Sequence, residues 1–297
     1  MENVIQIKEL CKRFGAKRAV DRLNLSVPRG SIFALLGDNG AGKTTTLRML
    51  TGLLPADSGS ATILGLDCWR SAVPLRKRVA YVPDKPRFYD WMTVAEIGWF
   101  SAGFHTPEFL PRYKDWVEKF LLEPKAKLST LSKGQYAKVG LALALAVEPE
   151  VLILDEPTSG LDLLVRREFL QSMVGLASEG RTIIISSHQI AEVERVASHV
   201  AFLSHGRLLL TAPLDEVRRR IVRLQMRCEA EYPDLEGLGT ILQRNNSGKV
   251  WQAVLQDAPA EALELLRATE GVYDLEVVSM TLEEIYCALL ARKEGAL

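Results

Sequence analysis

Three short stretches carry residues that could do chemistry. "GDNGAGKTT" spans residues 37–45 and fits the pattern G-x-x-x-x-G-K-[ST]. Its glycines put no Cβ in the way, so backbone N–H groups can wrap a phosphate chain. The helix expected to follow adds the partial positive charge of its N-terminus. Gly37, Asp38, Asn39, Gly40, Ala41, Gly42 and Thr45 are therefore read as a phosphate cradle, with Lys43 neutralising the β- and γ-phosphates of the bound chain. The hydroxyl of Thr44 is a ligand for Mg²⁺ in this reading. The second stretch, "VLILDE" (151–156), is four apolar residues followed by two carboxylates. Asp155 is expected in the Mg²⁺ shell, and Glu156 is expected to polarise an attacking water as general base. The third is His188, directly after "TIIISS" (182–187). Beside a γ-phosphate its imidazole would hold the water or stabilise developing charge. An ordinary exposed histidine at a helix start is the alternative.

These groups need a scaffold that delivers the ends of separate strands to one edge. "VIQIKEL" (4–10) and "RLNLSV" (22–27) alternate as half-exposed strands. "SIFALLG" (31–37), "RVAYVP" (78–83), "VLILDE", "TIIISS" and "VAFLS" (200–204) are short apolar runs, the pattern of strands buried on both faces of a parallel sheet. Helical patterns run from Lys43 to near Gly52 and over 93–103, 109–122, 134–147, 162–178 and 189–197. Strand–helix alternation predicts a doubly wound α/β core with ligands at the carboxyl edge of the sheet. Residues 93–147 hold helices with no strand between them, which predicts an inserted helical subdomain. Composition changes after Arg220. "VRRRIVRLQMR" (217–227) is read as a solvated helix face, with a surface near lipid headgroups as the alternative. "NNSGK" (245–249) reads as a hairpin turn, "PAEALELLRAT" (259–269) as a helix and "YDLEVVSM" (273–280) as a strand. Thr281 and Glu284 have capping-box spacing at the head of a last helix. A small α+β domain over 221–297 is expected to follow a main domain over 1–220.

The bulk numbers narrow the class. The 297 residues are 47% hydrophobic and 25% charged, the balance of a soluble globular protein. Formal net charge is zero, so no pull toward nucleic acid is implied and no nucleic-acid partner is expected. Cys11, Cys68, Cys228 and Cys287 form no C-x-x-C pair and read as separate reduced thiols of a cytoplasmic protein. No signal-peptide pattern opens the chain. The longest apolar run, "VGLALALAV" (139–147), is far shorter than the roughly 20 residues of a membrane helix, so any membrane span is expected from another chain.

With these motifs in view, the chain resembles the ATP-binding cassette (ABC) ATPase family over roughly residues 3–215. "GDNGAGKTT" and "VLILDEPTSGLD" match its phosphate loop and catalytic strand. "LSKGQ" (131–135) is similar to its signature, "SGLD" (159–162) to its D-loop, and His188 in "SSHQ" to its switch histidine. Phe14 sits where an aromatic stacks on adenine. The resemblance implies a P-loop NTPase cassette: a mostly parallel core sheet, an antiparallel β subdomain and a helical subdomain over about 85–147, followed here by the small α+β domain. It also implies ATP and Mg²⁺ as cofactors and head-to-tail pairing with a second nucleotide-binding subunit, a copy or a paralogue. Ser132 and the backbone at Gly134 and Gln135 would then meet the partner's γ-phosphate, with Asp162 at the same junction. The permease would be a separate chain, holding this one at the inner face of the cell membrane. The C-terminal domain and the ending "MTLEEIYCALL" resemble bacterial cassettes of the export-type, ABC-2-like subgroup.

Two positions depart from the family pattern. Lys133 replaces the first glycine of the signature pair, and it points either to solvent or to the partner's phosphates. Asp84, in "YVPD", stands where glutamine is usual, and it is expected near Mg²⁺ as a third metal-side residue. Phe88, Tyr89 and Trp91 are expected to be exposed and, with helices over 93–122, to face a permease loop. Two other readings stay open: a soluble cassette ATPase acting on ribosomes or DNA, and an ATP-binding clamp with little turnover.

Overall fold

The first strand-forming stretch of this computed structural model, which describes residues 2–228 and 237–293, is a long hairpin of β1 (Asn3–Phe14) and β2 (Lys17–Pro28). After it come β3 (Ile32–Leu36), α1 (Lys43–Leu50), β4 (Ser58–Ile63), β5 (Leu66–Asp67), α2 (Ala72–Leu75) and β6 (Val79–Val82). The helical stretch is α3 (Val94–Ala102), α4 (Phe109–Lys119) and α5 (Lys133–Leu145). The chain continues through β7 (Val151–Asp155), α6 (Leu163–Ser178), β8 (Thr182–Ser187), α7 (Ile190–Val193), β9 (His199–Ser204) and β10 (Arg207–Pro213). It closes with α8 (Leu214–Arg220), β11 (Ile221–Cys228), β12 (Thr240–Ser247), β13 (Val250–Gln256), α9 (Ala260–Arg267), β14 (Val272–Val278) and α10 (Leu282–Lys293).

Contacts divide the chain into two units. One runs to Gln189 and resumes over Val196–Thr211; the other comprises Ile190–Arg195 and the chain from Ala212 onward. The first unit holds two sheets. A four-stranded antiparallel sheet has the order β2-β1-β4-β5, and a six-stranded sheet has the order β10-β9-β3-β8-β7-β6. In the latter, β9, β3, β8, β7 and β6 are parallel neighbours. Every residue of β3, β7 and β8 is buried, which is why those segments carry apolar runs rather than an alternating pattern. The β1 pattern alternates buried and exposed over its first half, as a strand with one wet face should.

The helical subdomain has its own core of Met92, Val94, Ile97, Phe109, Tyr113, Val117 and neighbours. Gly98 allows the tightest approach: a Cβ there would lie 2.1 Å from the Tyr113 ring. The buried Tyr113 hydroxyl donates to Val94 O at 2.7 Å, and burial pushes its phenol pKa up. Thr93 and Glu96 form a capping box that starts α3.

The second unit carries a four-stranded antiparallel sheet of order β12-β13-β11-β14 over a core including Leu224, Met226, Leu255 and Leu266. Glu284 and Thr281 cap α10 reciprocally, at 2.8 Å (Thr281 N–H to Glu284 Oε2) and 3.3 Å (Glu284 N–H to Thr281 Oγ1).

Several local expectations are corrected. Residues 189–197 hold only the four-residue turn α7. Asn245 and Asn246 belong to β12, and the turn is made by Gly248 and Lys249. The arginine run is not one solvated helix face: it crosses from α8 into β11. Its side chains are tied down, Arg218 to Glu194 at 2.8 Å, Arg220 to Asp257 at 2.7 Å and Arg223 to Glu284 at 3.0 Å. The partners are distant in sequence, so a helical periodicity cannot show them. Phe88 is half-buried against Tyr136, with ring centroids 5.0 Å apart, while Tyr89 and Trp91 are exposed. Among the described residues no helix is long and apolar enough to cross a membrane.

Candidate nucleotide site

The phosphate loop spans the gap between β3 and α1, and its shape depends on glycine at two close approaches. A Cβ on Gly37 would lie 2.3 Å from Leu203 O, and one on Gly42 would lie 2.5 Å from Ala19 O. Both have positive φ, 150° and 105°. The loop is braced from outside by the tight turn between β9 and β10, where Gly206 N–H donates to Ala41 O at 2.9 Å. Gly206 O in turn accepts from Asp21 N–H at 2.8 Å. The buried Asp21 carboxylate binds Arg207 at 2.7 Å and Arg18 at 2.8 Å. Chiefly through the Arg207 hydrogen bond, its pKa is held below the usual carboxylate value.

Inside the loop, Lys43 is buried and donates to Gly37 O at 2.6 Å and Asp38 O at 3.2 Å. Its ammonium is also 3.1 Å from Glu156 Oε1. Thr44, at the start of α1, donates to Asp155 Oδ1 at 3.0 Å. Asp155 receives two further hydroxyls, Ser186 at 2.6 Å on Oδ1 and Tyr81 at 3.2 Å on Oδ2. Burial, with the Asp155 charge adding, pushes the Tyr81 phenol up to about 12. It therefore acts as a donor at neutral pH.

Glu156 sits at positive φ (49°), just past the end of β7. Its N–H donates to Ser186 Oγ at 3.0 Å, and its carboxylate lies 2.7 Å from His188 Nδ1. Lys43 and His188 thus engage opposite oxygens of one carboxylate. Asp84 lines the same pocket. Burial raises its pKa, with Asp155 and Glu156 adding to the shift and Lys85 and His188 opposing it. The Asp155 and Glu156 charges thus act on Asp84, yet among the described residues no three acidic, histidine or cysteine side chains are grouped closely enough to hold a metal ion by themselves. Thr44, Asp155 and Asp84 offer hard oxygen donors, the chemistry Mg²⁺ selects.

The pocket measures about 280 Å³ and is lined by residues 38–45, Asp84 and Glu156 on one side and by Phe14, Lys17 and Ala19 of the β1–β2 hairpin on the other. Phe14 is 52% exposed. Ser132, Gly134, Gln135 and Asp162 do not line this pocket. Ser132 and Gln135 form a capping box at the head of α5, at 3.0 Å (Ser132 N–H to Gln135 Oε1) and 3.2 Å (Gln135 N–H to Ser132 Oγ). Asp162 caps α6 by accepting from Val165 N–H at 3.0 Å. Gly134 is packed under Val165, whose Cγ1 would be 2.7 Å from a Cβ at 134. The exposed Lys133 lies over Gly160, its ammonium 3.4 Å from where a Cβ would stand.

Sequence reasoning missed Tyr81 and Ser186. The available signal for Ser186 was a pair of serines ending an otherwise apolar strand. The register sets Ser186 directly beside Asp155.

Comparison with known proteins gives this geometry a family. The family model described as ABC transporter matches residues 20–159. The bacitracin transport ATP-binding protein BcrA of Bacillus licheniformis is 36% identical over 224 residues, 74% of this chain and 73% of BcrA. The chain belongs to the ABC transporter family. It is an ATP-binding subunit with ATPase activity. The ABC transporter ATP-binding protein YtrB of Bacillus subtilis is 27% identical over 292 residues, 98% of this chain and 99% of YtrB. A solved structure described as the ATP-binding subunit of an ABC transporter is 30% identical, with a TM-score of 0.66, over 73% of this chain and 92% of that one. The α/β cassette fold read from the motifs is thus the fold observed.

Proposed function

We propose that this chain is the motor subunit of an export-type transporter, paired with a second nucleotide-binding subunit and carried on a separate permease at the inner face of the membrane. The observation that carries the reading is Glu156, held between Lys43 and His188 beside the Thr44–Asp155 pair. In this account ATP enters the pocket with adenine on Phe14 and its phosphates in the loop of residues 37–45. The Lys43 ammonium turns from Gly37 O and Glu156 to the β- and γ-phosphates. Glu156, freed on that side, accepts a proton from the attacking water as the γ-phosphate is displaced from the β-phosphate. His188 holds that carboxylate and the water in line. Thr44, Asp155 and Asp84 hold Mg²⁺, which when bound offsets phosphate charge. Retention of this constellation argues for turnover rather than a static ATP clamp.

Ser132, Gln135 and the backbone at Gly134 serve the partner's nucleotide, with Asp162 at the junction. This reading is supported by their absence from the lining of their own chain's pocket and by the exposure of Ser132 and Gln135 at a helix N-terminus. The permease is assigned to the helical subdomain. Tyr89, Trp91, Phe100 and Phe104 are exposed and in ring contact, with centroids 5.5–5.9 Å apart. A patch of that kind marks an interaction surface. Export is supported by the likeness to BcrA, whose name places it in bacitracin transport. Pull-down from membranes tests the docking face: Trp91→Ala should lose the co-purifying permease, and undiminished recovery would overturn this assignment.

A further inference from the structure

The cations of the β1–β2 hairpin are unequally committed. Lys12 pairs with Asp57 at 2.7 Å, and Arg18 with Asp21 at 2.8 Å. Lys17 is exposed, and among the described residues its ammonium has no hydrogen bond or ion pair. The strand register sets it directly opposite Phe14. From there it reaches across the pocket: its Nζ is 3.8 Å from where a Cβ on Gly40, in the phosphate loop, would stand. Its backbone is thus paired with Phe14 while its ammonium stands at Gly40 of the phosphate loop, and both residues line the pocket.

The charge of the pocket gives this position its meaning. Its lining carries two lysines, Lys17 and Lys43, against the carboxylates Asp38, Asp84 and Glu156. Lys43 is already bound to two carbonyls and to Glu156. A polyphosphate approaching the pocket thus meets an excess of negative charge and one uncommitted ammonium.

We propose that Lys17 is a second phosphate-binding lysine, which grips the phosphate chain from the hairpin side and sets affinity for nucleoside di- and triphosphates. Hairpin and loop then close on the nucleotide as two jaws, Phe14 taking the base and Lys17 the phosphates. Because Lys17 is far from Glu156 in role, it governs binding and leaves the chemical step alone. The inference rests on the placement of nucleotide in this pocket.

Calorimetric titration of the full chain with ATP, ADP and AMP, each with Mg²⁺, tests it. Lys17→Met should weaken ATP and ADP binding about fivefold, the scale of one exposed charge contact, and leave AMP within twofold. KM for ATP should rise while kcat at saturation stays unchanged, and Lys17→Arg should restore affinity. Unchanged ATP affinity, or an equal loss for AMP, would overturn the proposal. Lys43→Ala serves as the separate control: if it binds ATP as tightly as wild type, the placement of nucleotide is wrong. If it loses ATP while Lys17→Met does not, only the role of Lys17 fails. Thermal unfolding without nucleotide should be the same for Lys17→Met and wild type.

Discussion

Ser186→Ala isolates what holds the two carboxylates in place. The hydroxyl donates to Asp155 at 2.6 Å and accepts from Glu156 N–H at 3.0 Å, so one oxygen joins the proposed metal-side group to the proposed base. A hydrogen bond to a charged group is worth about 1.5–3 kcal/mol. Taking about 2 kcal/mol and 1.36 kcal/mol per tenfold in rate, its loss lowers kcat about 30-fold if the contact is fully expressed in the transition state. The fold should survive, because Thr44 and Tyr81 still donate to Asp155 and Glu156 N–H keeps Ser186 O at 3.2 Å. KM for ATP should move little, since the phosphate loop is untouched, whereas the Mg²⁺ concentration for half-maximal rate should rise. Steady-state ATPase assays across a Mg²⁺ titration read both quantities. A folded Ser186→Ala protein with wild-type kcat and wild-type Mg²⁺ dependence would show that Ser186 does not support the two carboxylates.

Three other outcomes follow from the same geometry. Asp84→Gln removes a carboxylate that stands with Asp155 and Glu156, so ATP binding without Mg²⁺ should strengthen; an unchanged metal requirement in a binding titration would make Asp84 a bystander. Gly98→Ala forces a methyl into the Tyr113 ring, where 2.1 Å is available, and should cost about 1–3 kcal/mol, seen as a lowered Tm with ATP affinity retained in the folded fraction. Asp21 has a lowered pKa, so its contribution to stability is present above the unfolded carboxylate value of about 4 and is lost as pH falls through its lower folded value. Asp21→Asn should therefore be less stable than wild type at neutral pH and converge with it in acid, which denaturant unfolding at several pH values would show.

What could be read from the sequence was what local chemistry dictates. The phosphate loop was legible because its glycines and lysine act within nine residues, and the core strands were legible because burial on both faces leaves a continuous apolar run. Glu156 and His188 followed from their position after such strands. The supports of the site were hidden because they depend on register and long-range pairing. Ser186 faces Asp155 only through the β7–β8 alignment, and Tyr81 reaches it from a third strand. Lys17 is invisible as a pocket residue until the hairpin is folded over Gly40. The strands β4 and β5 were missed because "SGSATI" is small and polar, and its partner β1 supplies the apolar face. The arginine run misled for the same reason: its acidic partners Glu194, Asp257 and Glu284 lie up to 61 residues away.

In the proposed mechanism Glu156 is the base of ATP hydrolysis, in a site completed by a second subunit. Glu156→Gln keeps the side chain's size and its reach toward Lys43 and His188 but removes the basic oxygen. Size-exclusion chromatography with ATP and Mg²⁺, alongside phosphate release, measures both halves at once. Phosphate release should stay at background, and a stable ATP-bound dimer should elute. Wild-type phosphate release from Glu156→Gln would contradict it.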